Sequence, residues 1–224
     1  MIEMQDVGFG YHGGAELLSN MTLSLQPGMF HFLTGPSGSG KTTLLRLCYA
    51  DLLPSSGRMS VFGQDLRGLG RDDIAMLRRR VGVVHQDTQF LDHLPVAENV
   101  ALPLSVSGQA VDMDALRDLL GWVQLSAHAR ARPPSLSGGE RQRAALARAV
   151  ILSPDLVLAD EPTGNLDWEM SMRLMQLLIE LNKSGKTVLV ATHDLNLIRA
   201  AKAQVAARVL RIAGGTLHLA GADL

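Results

Sequence analysis

Residues 35–42, with the sequence Gly-Pro-Ser-Gly-Ser-Gly-Lys-Thr, have the types and spacing to bind phosphate. A glycine, four free positions and Gly-Lys-Thr form a phosphate loop when they lie between a strand and a helix. Its glycines let successive backbone N–H groups point into one concave nest, while Lys41 is expected to reach the outer phosphates and Thr42 to hold Mg²⁺. The predicted nucleotide site consists of Gly35, Pro36, Ser37, Gly38, Ser39, Gly40, Lys41, Thr42 and Thr43.

Polar side chains follow three apolar runs that are predicted to be buried strands. Gln86 follows residues 81–84, Asp160 and Glu161 follow residues 156–159, and His193 follows residues 187–191. Open α/β sheets collect ligand groups at the carboxyl ends of their strands, so these side chains are expected at one edge. Asp160 is then placed to bind Mg²⁺ through water, and Glu161 to orient or deprotonate an attacking water.

A second turn can also receive an anion. Residues 136–140, Leu-Ser-Gly-Gly-Glu, precede a predicted helix, so the Ser137 hydroxyl and the glycine N–H groups are expected at a helix N-terminus. Tyr11 lies shortly before the phosphate loop and could stack on adenine; the alternative is a tyrosine that caps a strand end. One chain thus offers two phosphate sites and a candidate base contact.

The remaining pattern predicts an α/β chain with a helical lobe between residues 81–84 and the second turn. Antiparallel strands are predicted over residues 2–25, with Gly13 and Gly14 between them, and Trp168 and the methionines near it are predicted to pack in the core. Further strands are predicted at residues 30–33, 58–62, 81–84, 156–159, 187–191, 205–212 and 216–219, and helices at 43–50, 74–80, 96–104, 112–125, 141–152 and 168–182.

Bulk properties exclude several classes of protein. The 224 residues suffice for one large domain or a domain with an inserted lobe, and the net charge of −1 gives no field for capturing nucleic acid. Cys48 is the only cysteine, which excludes a disulfide framework. The first residues lack the apolar core of a signal peptide, and no apolar run reaches the roughly 18 residues that a membrane span needs. The sequence therefore predicts a soluble, cytoplasmic chain, unless another chain holds it at a membrane.

Taken together, these motifs resemble the nucleotide-binding subunits of ABC transporters over essentially the whole chain. Residues 136–140 are an intact copy of that family's signature, which kinases, GTPases and helicases lack. The resemblance implies ATP and Mg²⁺ as ligands and an α/β P-loop NTPase fold of the ABC ATPase type. That fold has a mainly parallel core sheet and an N-terminal antiparallel β subdomain. A helical subdomain at about residues 88–152 is inserted in the RecA-like core of a single domain, residues 1–224.

The resemblance also implies roles for individual residues. It assigns the adenine contact to Tyr11, the general base to Glu161, a switch to His193 and a dimer contact to Asp167. Two copies are expected to dimerise head to tail on ATP, with the second turn of one copy touching the γ-phosphate held by the other. The implied metal residues are Thr42, Gln86 and Asp160, and the residues that reach the partner's nucleotide are Ser137 and Gly139. One departure is His85, where the family more often has an aromatic residue.

Within the family, residues 32–35, 98–104, 160–167 and 191–194 look most like the cell-division branch. That branch implies an integral membrane partner, further division proteins, a place on the cytoplasmic face of the inner membrane, and control of septal peptidoglycan hydrolysis. Candidate docking residues are Phe90, Leu91, Leu94 and Pro95, with burial inside the subunit as the alternative.

Three other functions stay open. Residues 164–167 are shared with lipoprotein-release and macrolide-export ATPases, so they define only the wider group. A DNA-handling or ribosome-acting ATPase is a second alternative, although neither a long coiled coil nor a second cassette is present. The third is a non-catalytic scaffold, against which Glu161 and His193 argue.

Overall fold

The computed structural model describes residues 1–11 and 15–219, so the predicted turn at Gly13 and Gly14 lies outside the described residues. The strands are β1 (Ile2–Gly10), β2 (Glu16–Leu25), β3 (Phe30–Thr34), β4 (Ser56–Val61), β5 (Gln64–Asp65), β6 (Val81–Val84), β7 (Leu156–Asp160), β8 (Thr187–Ala191), β9 (Ala207–Ala213) and β10 (Thr216–Leu219). The helices are α1 (Lys41–Cys48), α2 (Arg71–Arg79), α3 (Val96–Val106), α4 (Met113–Trp122), α5 (Gly138–Val150), α6 (Trp168–Lys183) and α7 (Leu195–Lys202). Short 3₁₀ turns occupy Leu66–Gly68, Ser126–His128 and Pro133–Ser135.

The strands form two sheets. The first has the order β2-β1-β4-β5 and is antiparallel, and the second has the order β10-β9-β3-β8-β7-β6. In the second sheet the strands from β9 to β6 pair in parallel, and β10 adds an antiparallel edge. With the helices α3 to α5 between β6 and β7, this arrangement confirms the predicted fold class.

The central strands are buried because helices or the other sheet cover both of their faces. Every residue of β3, β7 and β8 is buried, as is typical of parallel strands inside α/β proteins. One apolar cluster joins the first sheet to β3 and α1, a second joins the other face of the central sheet to α5, α6 and α7, and a third lies among α3, α4 and α5. The central strands thus hold their carboxyl ends at fixed relative positions.

No helix within residues 1–11 and 15–219 combines the length and the apolar character that crossing a bilayer requires.

Candidate functional site

The phosphate loop connects β3 to α1 as the sequence predicts. Gly40 has φ of 99°, and a Cβ at this position would lie 2.6 Å from Leu18 Cδ2, so a side chain would be both strained and crowded. Gly38 has φ of 75° and faces open space. The helix α1 begins at Lys41 without a side-chain cap, which leaves its first N–H groups available to an anion.

Lys41 lies across the mouth of this loop. Its Nζ donates to the carbonyl oxygens of Gly35 at 3.0 Å and Pro36 at 3.3 Å, and stands 3.6 Å from Glu161 Oε1. The side chain is only 9% exposed, so its ammonium is held by fixed backbone dipoles rather than by water. An ammonium in this position favours the negative charge of an outer phosphate.

Glu161 and His193 meet at the carboxyl ends of β7 and β8. Asp160 pairs with Ala191 in the parallel register, and Glu161 N–H then donates to the Ala191 carbonyl at 2.9 Å. His193 Nδ1 lies 3.0 Å from Glu161 Oε1, and their side chains are 72% and 12% exposed. With Glu161 ionised, Nδ1 carries the hydrogen and donates. The carboxylate is thus partly buried and oriented by the exposed imidazole.

The backbone of Glu161 is unusual. Its φ of 43° falls in the left-handed region, where a residue other than glycine costs on the order of 1–3 kcal/mol. Such conformations occur where the surroundings impose them, often in active sites. Here the hydrogen bond to Ala191 and the contacts of the carboxylate fix the residue beside Lys41.

Asp160 has the properties of a cation ligand. It is 8% exposed, and its Oδ1 is buried without a hydrogen-bond partner. Burial raises the pKa of this carboxyl, while a hydrogen bond from the Thr42 side chain acts in the opposite direction. A buried acceptor without a donor is costly, so the residues fit a bound Mg²⁺, which prefers oxygen ligands.

Gln86, which follows β6, completes a cleft of about 780 Å³ over the phosphate loop. The cleft is lined by Leu17, Gly35, Pro36, Ser37, Gly38, Gly40, Lys41, Thr42, Thr43, Gln86, Glu161, Gly164 and His193. The predicted catalytic groups therefore surround one space with most of the phosphate loop. Leu17 and Gly164 were not predicted as lining residues, and Leu17 carries no chemical signal that could have identified it.

Tyr11 lies beside this cleft rather than in its lining. Its hydroxyl is 3.2 Å from Thr43 Oγ1, and its ring meets Phe9 edge to face with 5.0 Å between centroids. The residue is 48% exposed, so its ring is fixed at one edge and accessible to a ligand. His85, which directly precedes Gln86 and departs from the family pattern, makes an edge-to-face contact with Tyr49 at 6.4 Å, and burial lowers the pKa of its imidazole.

Besides Tyr11, Ser39 and Asp160, three other predicted site residues are not among those that line this cleft. Ser137 caps α5, with its N–H and hydroxyl both donating to Glu140 Oε2 at 2.8 Å, and Asp167 caps α6 by accepting from Met170 N–H at 2.9 Å. The two hydrogen bonds from Ser137 lower the pKa of the Glu140 carboxyl. A Cβ on Gly139 would lie 3.3 Å from Met170 Sδ, so the start of α5 packs closely on α6.

One prediction about this region is wrong. Trp168 is 53% exposed instead of packed in the core, whereas Met175 on the same helix is fully buried. Trp168 is the first residue of α6, directly after its capping residue, and the helix turns this position away from the sheet. An exposed indole therefore follows Asp167.

Known proteins resemble the chain in sequence and in fold. Residues 18–164 match the family described as "ABC transporter". The cell division ATP-binding protein FtsE of Escherichia coli K12 is 41% identical over 223 residues, which is 97% of each chain. FtsE of Bacillus subtilis is 40% identical over 209 residues, or 92% of each chain. The dimeric post-hydrolysis state of the ATP-binding cassette MJ0796 with ADP and Pi superposes with a TM-score of 0.87, at 32% identity and 97% coverage of each chain.

Proposed function

The chain belongs to the ABC transporter family and is an ATP hydrolase, and from this premise we propose that it serves as the ATP-binding subunit of a cell-division complex. The observation that carries the proposal is the near full-length similarity to cell-division ATP-binding proteins. Its proposed partner is an integral membrane protein resembling FtsX, which would hold the subunit at the cytoplasmic face of the inner membrane. Cycles of ATP binding and hydrolysis in this complex would regulate septal peptidoglycan hydrolysis, with other division proteins as further partners.

Within the site, each group has a proposed task. The phosphate loop and Lys41 hold the triphosphate, and the exposed ring of Tyr11 meets the adenine. Thr42, Gln86 and Asp160 would hold Mg²⁺, which when bound neutralises charge on the phosphates. Glu161 accepts the proton of the attacking water, since its partly buried carboxylate lies beside the loop, 3.6 Å from Lys41 Nζ.

His193 keeps this carboxylate oriented through the 3.0 Å contact at Nδ1. The exposed imidazole can also sense the phosphate end of the nucleotide, which is the proposed switch role.

Dimer closure is the proposed response to ATP. Ser137 is exposed at the start of α5, Gly139 is buried there against Met170, and neither residue lines the cleft of its own chain. Solved relatives of this fold are dimers. We propose that they contact the γ-phosphate bound by a second copy, with Asp167 at the same interface. ATP can drive closure only by as much as it binds the closed state more tightly. Hydrolysis removes that difference and lets the dimer open.

The proposed membrane partner docks beside the Gln86 loop, which is defined as residues 86–90, on a helical subdomain spanning about residues 88–152. Asn99 is fully buried and fixes the adjacent segment, accepting from Leu91 N–H at 2.8 Å and donating to the carbonyls of Leu91, Leu94 and Pro95. Leu91 is 41% exposed, and Leu94 and Pro95 border a groove of about 600 Å³ along α3 and α4. Phe90 instead packs against two core clusters, so it does not join the docking surface.

The test is co-purification of the chain with an FtsX-type membrane protein. Leu94→Glu is expected to weaken the complex at least several-fold while leaving ATP binding intact. Leu53→Glu is the matched control, because Leu53 is 48% exposed and does not line the groove. Equal recovery of both variants would reject the docking site. If instead a permease of a lipoprotein-release or macrolide exporter binds the chain and stimulates its ATPase activity, and the FtsX-type protein does neither, the cell-division assignment is overturned.

A further inference from the structure

The Gln86 loop is attached to one face of helix α5 at three points. Gln142 Nε2 donates to the Gln86 carbonyl at 2.9 Å, and Arg148 Nη1 donates to the Gln89 carbonyl at 2.7 Å. Next along the loop, the guanidinium groups of Arg141 and Arg148 lie over the Phe90 ring at 5.4 and 4.6 Å from its centroid. The helix that begins with the signature residues therefore also fixes the loop that carries Gln86.

The burial of Gln142 indicates that this contact is specific. The residue is 8% exposed, and its Oε1 has no hydrogen-bond partner. The orientation of the amide is determined by its neighbour, because a backbone carbonyl can only accept and Nε2 must face it. A buried amide that leaves one atom without a partner is costly, so a simple packing role would be met better by leucine.

Arg148 supports the same conclusion with a charged donor. Burial lowers the pKa of its guanidinium, and its partners are the Gln89 carbonyl and the Phe90 ring. A guanidinium that is partly withdrawn from water depends on the groups arranged around it. Here the Gln89 carbonyl and the Phe90 ring supply such groups, and both belong to the Gln86 loop.

We propose that Gln142 and Arg148 are positioning residues that hold the Gln86 side chain within reach of nucleotide-bound Mg²⁺. We call the contacts of Gln142 and Arg148 with the Gln86 loop the clamp. Because it fixes the Gln86 carbonyl, it limits the conformations of the Gln86 side chain and raises the fraction of time in which the Gln86 amide faces the cleft. The Gln86 loop and α5 then move as one body, which ties the metal end of the cleft to the helix that starts at Ser137. The inference rests on the proposed role of Gln86 as a metal ligand.

Gln142→Leu in the full-length chain tests the clamp. We expect the Mg²⁺ concentration for half-maximal ATP hydrolysis to rise about five-fold, the effect of losing one neutral hydrogen bond, while the affinity for ATP without Mg²⁺ stays unchanged. The rise in melting temperature that Mg²⁺ adds to that of ATP alone should shrink in parallel, which gives a readout independent of turnover. Gln176→Leu is the matched control, because this amide bonds Glu180 on α6 far from the loop.

Gln142→Glu adds a second readout, the pH dependence of the Mg²⁺ requirement, which a purely structural role of Gln142 would not change. A carboxylate repels the Gln86 carbonyl, but a protonated carboxyl can donate to it, and burial raises a carboxyl pKa toward neutrality. The Mg²⁺ requirement of this variant should therefore approach that of the wild type as the pH falls from about 8 to about 6, whereas Gln142→Leu should show no such recovery. Arg148→Lys retains a charged donor, so its Mg²⁺ requirement should lie between that of the wild type and that of Arg148→Leu.

Gln86→Ala separates the proposed metal role of Gln86 from the proposed positioning role of Gln142 and Arg148. If Gln86→Ala raises the Mg²⁺ requirement while Gln142→Leu and Arg148→Leu do not, the clamp is overturned and the role of Gln86 stands. If Gln86→Ala has the same Mg²⁺ requirement as the wild type, the proposed metal role of Gln86 is rejected, and the clamp is rejected with it. Should Gln142→Leu not fold, Arg148→Leu against Arg148→Lys gives the same decision.

Discussion

Glu161 carries several constraints at one position. Its backbone is left-handed, its carboxylate is 12% exposed, and the same Oε1 faces both Lys41 and His193. A glutamine there keeps the size of the side chain but cannot accept a proton, so binding and chemistry can be separated by a single substitution. The proposed base is testable for this reason.

We expect Glu161→Gln to slow ATP hydrolysis by about 10²- to 10⁴-fold, the usual contribution of a positioned base. ATP binding should persist, because the contacts of the phosphate loop are unchanged, and an ATP-bound state should accumulate. Turnover under saturating ATP and Mg²⁺ is the measurement. Glu169→Gln is the control, since Glu169 is exposed and pairs with Arg173. Near-normal turnover in Glu161→Gln would assign the base elsewhere.

At the scale of elements, β3 has a buried histidine at its second position and leads into the phosphate loop at its end. His31 is 2% exposed, its Nδ1 has no hydrogen-bond partner, and Arg208 is its register partner on β9. Burial and then the charge of Arg208 lower the pKa of His31 to about 4 from 6.5. The strand therefore contains a group that resists protonation when folded.

The stability of the chain should consequently fall on acidification. Between pH 6.5 and about 4 the unfolded chain takes up a proton at His31 that the folded chain does not, so lower pH favours unfolding. Relative to His31→Leu, the wild type should lose up to about 3 kcal/mol of unfolding free energy across this window. Urea unfolding at several pH values measures the difference, and His93→Leu at an exposed position is the control. Parallel pH profiles for the wild type and His31→Leu would contradict the assignment.

The elements also mark how far the sequence could predict the molecule. Strands β6 and β8 match their predicted bounds because continuous apolar runs identify buried parallel strands. Helix α5 begins at Gly138 instead of residue 141, because the Ser137 cap overrides the poor helix propensity of two glycines. Helix α7 was missed, since no motif marks its start as the phosphate loop marks that of α1, which has the same length.

The candidate site divides in the same way. Residue types and spacing predicted that Lys41, Asp160 and His193 lie at the carboxyl ends of neighbouring strands, because motif chemistry is local and parallel strands share an edge; the roles of these residues stay predictions. Neither the left-handed backbone of Glu161 nor the contact between Gln142 and Gln86 could be predicted from the sequence, since each depends on residues distant in sequence. Trp168 was predicted to be buried because a large apolar residue is usually assigned to a core, yet its place at a helix start exposes it.

At the scale of the whole molecule, the chain has two separate candidate anion-binding surfaces. One is the cleft over the phosphate loop, and the other is the start of α5 at Ser137. Because Ser137 does not line the cleft of its own chain, we propose that a bound nucleotide engages the start of α5 from a second copy. Dimerisation is therefore proposed to be part of the binding site itself.

Ser137→Arg tests this arrangement in the hydrolysis-blocked Glu161→Gln background. The bulky cation at the helix start should prevent closure over a bound nucleotide, so the ATP- and Mg²⁺-dependent dimer seen by light scattering should be lost. Nucleotide binding by the phosphate loop should change little, because Ser137 does not line that cleft. Ser107→Arg, after the end of α3, is the control. A dimer fraction unaffected by Ser137→Arg would place the second copy elsewhere.

The exposed indole of Trp168 offers an optical probe of that closure. The chain has two tryptophans, and the other, Trp122, is already engaged through its Nε1 with Glu180 at 2.8 Å. If the turn at Asp167 meets a second copy, the Trp168 ring passes from water into a protein interface, and its fluorescence emission shifts toward the blue. Assembly and release could then be followed in real time, without any attached dye, by the colour of the light that the protein itself emits.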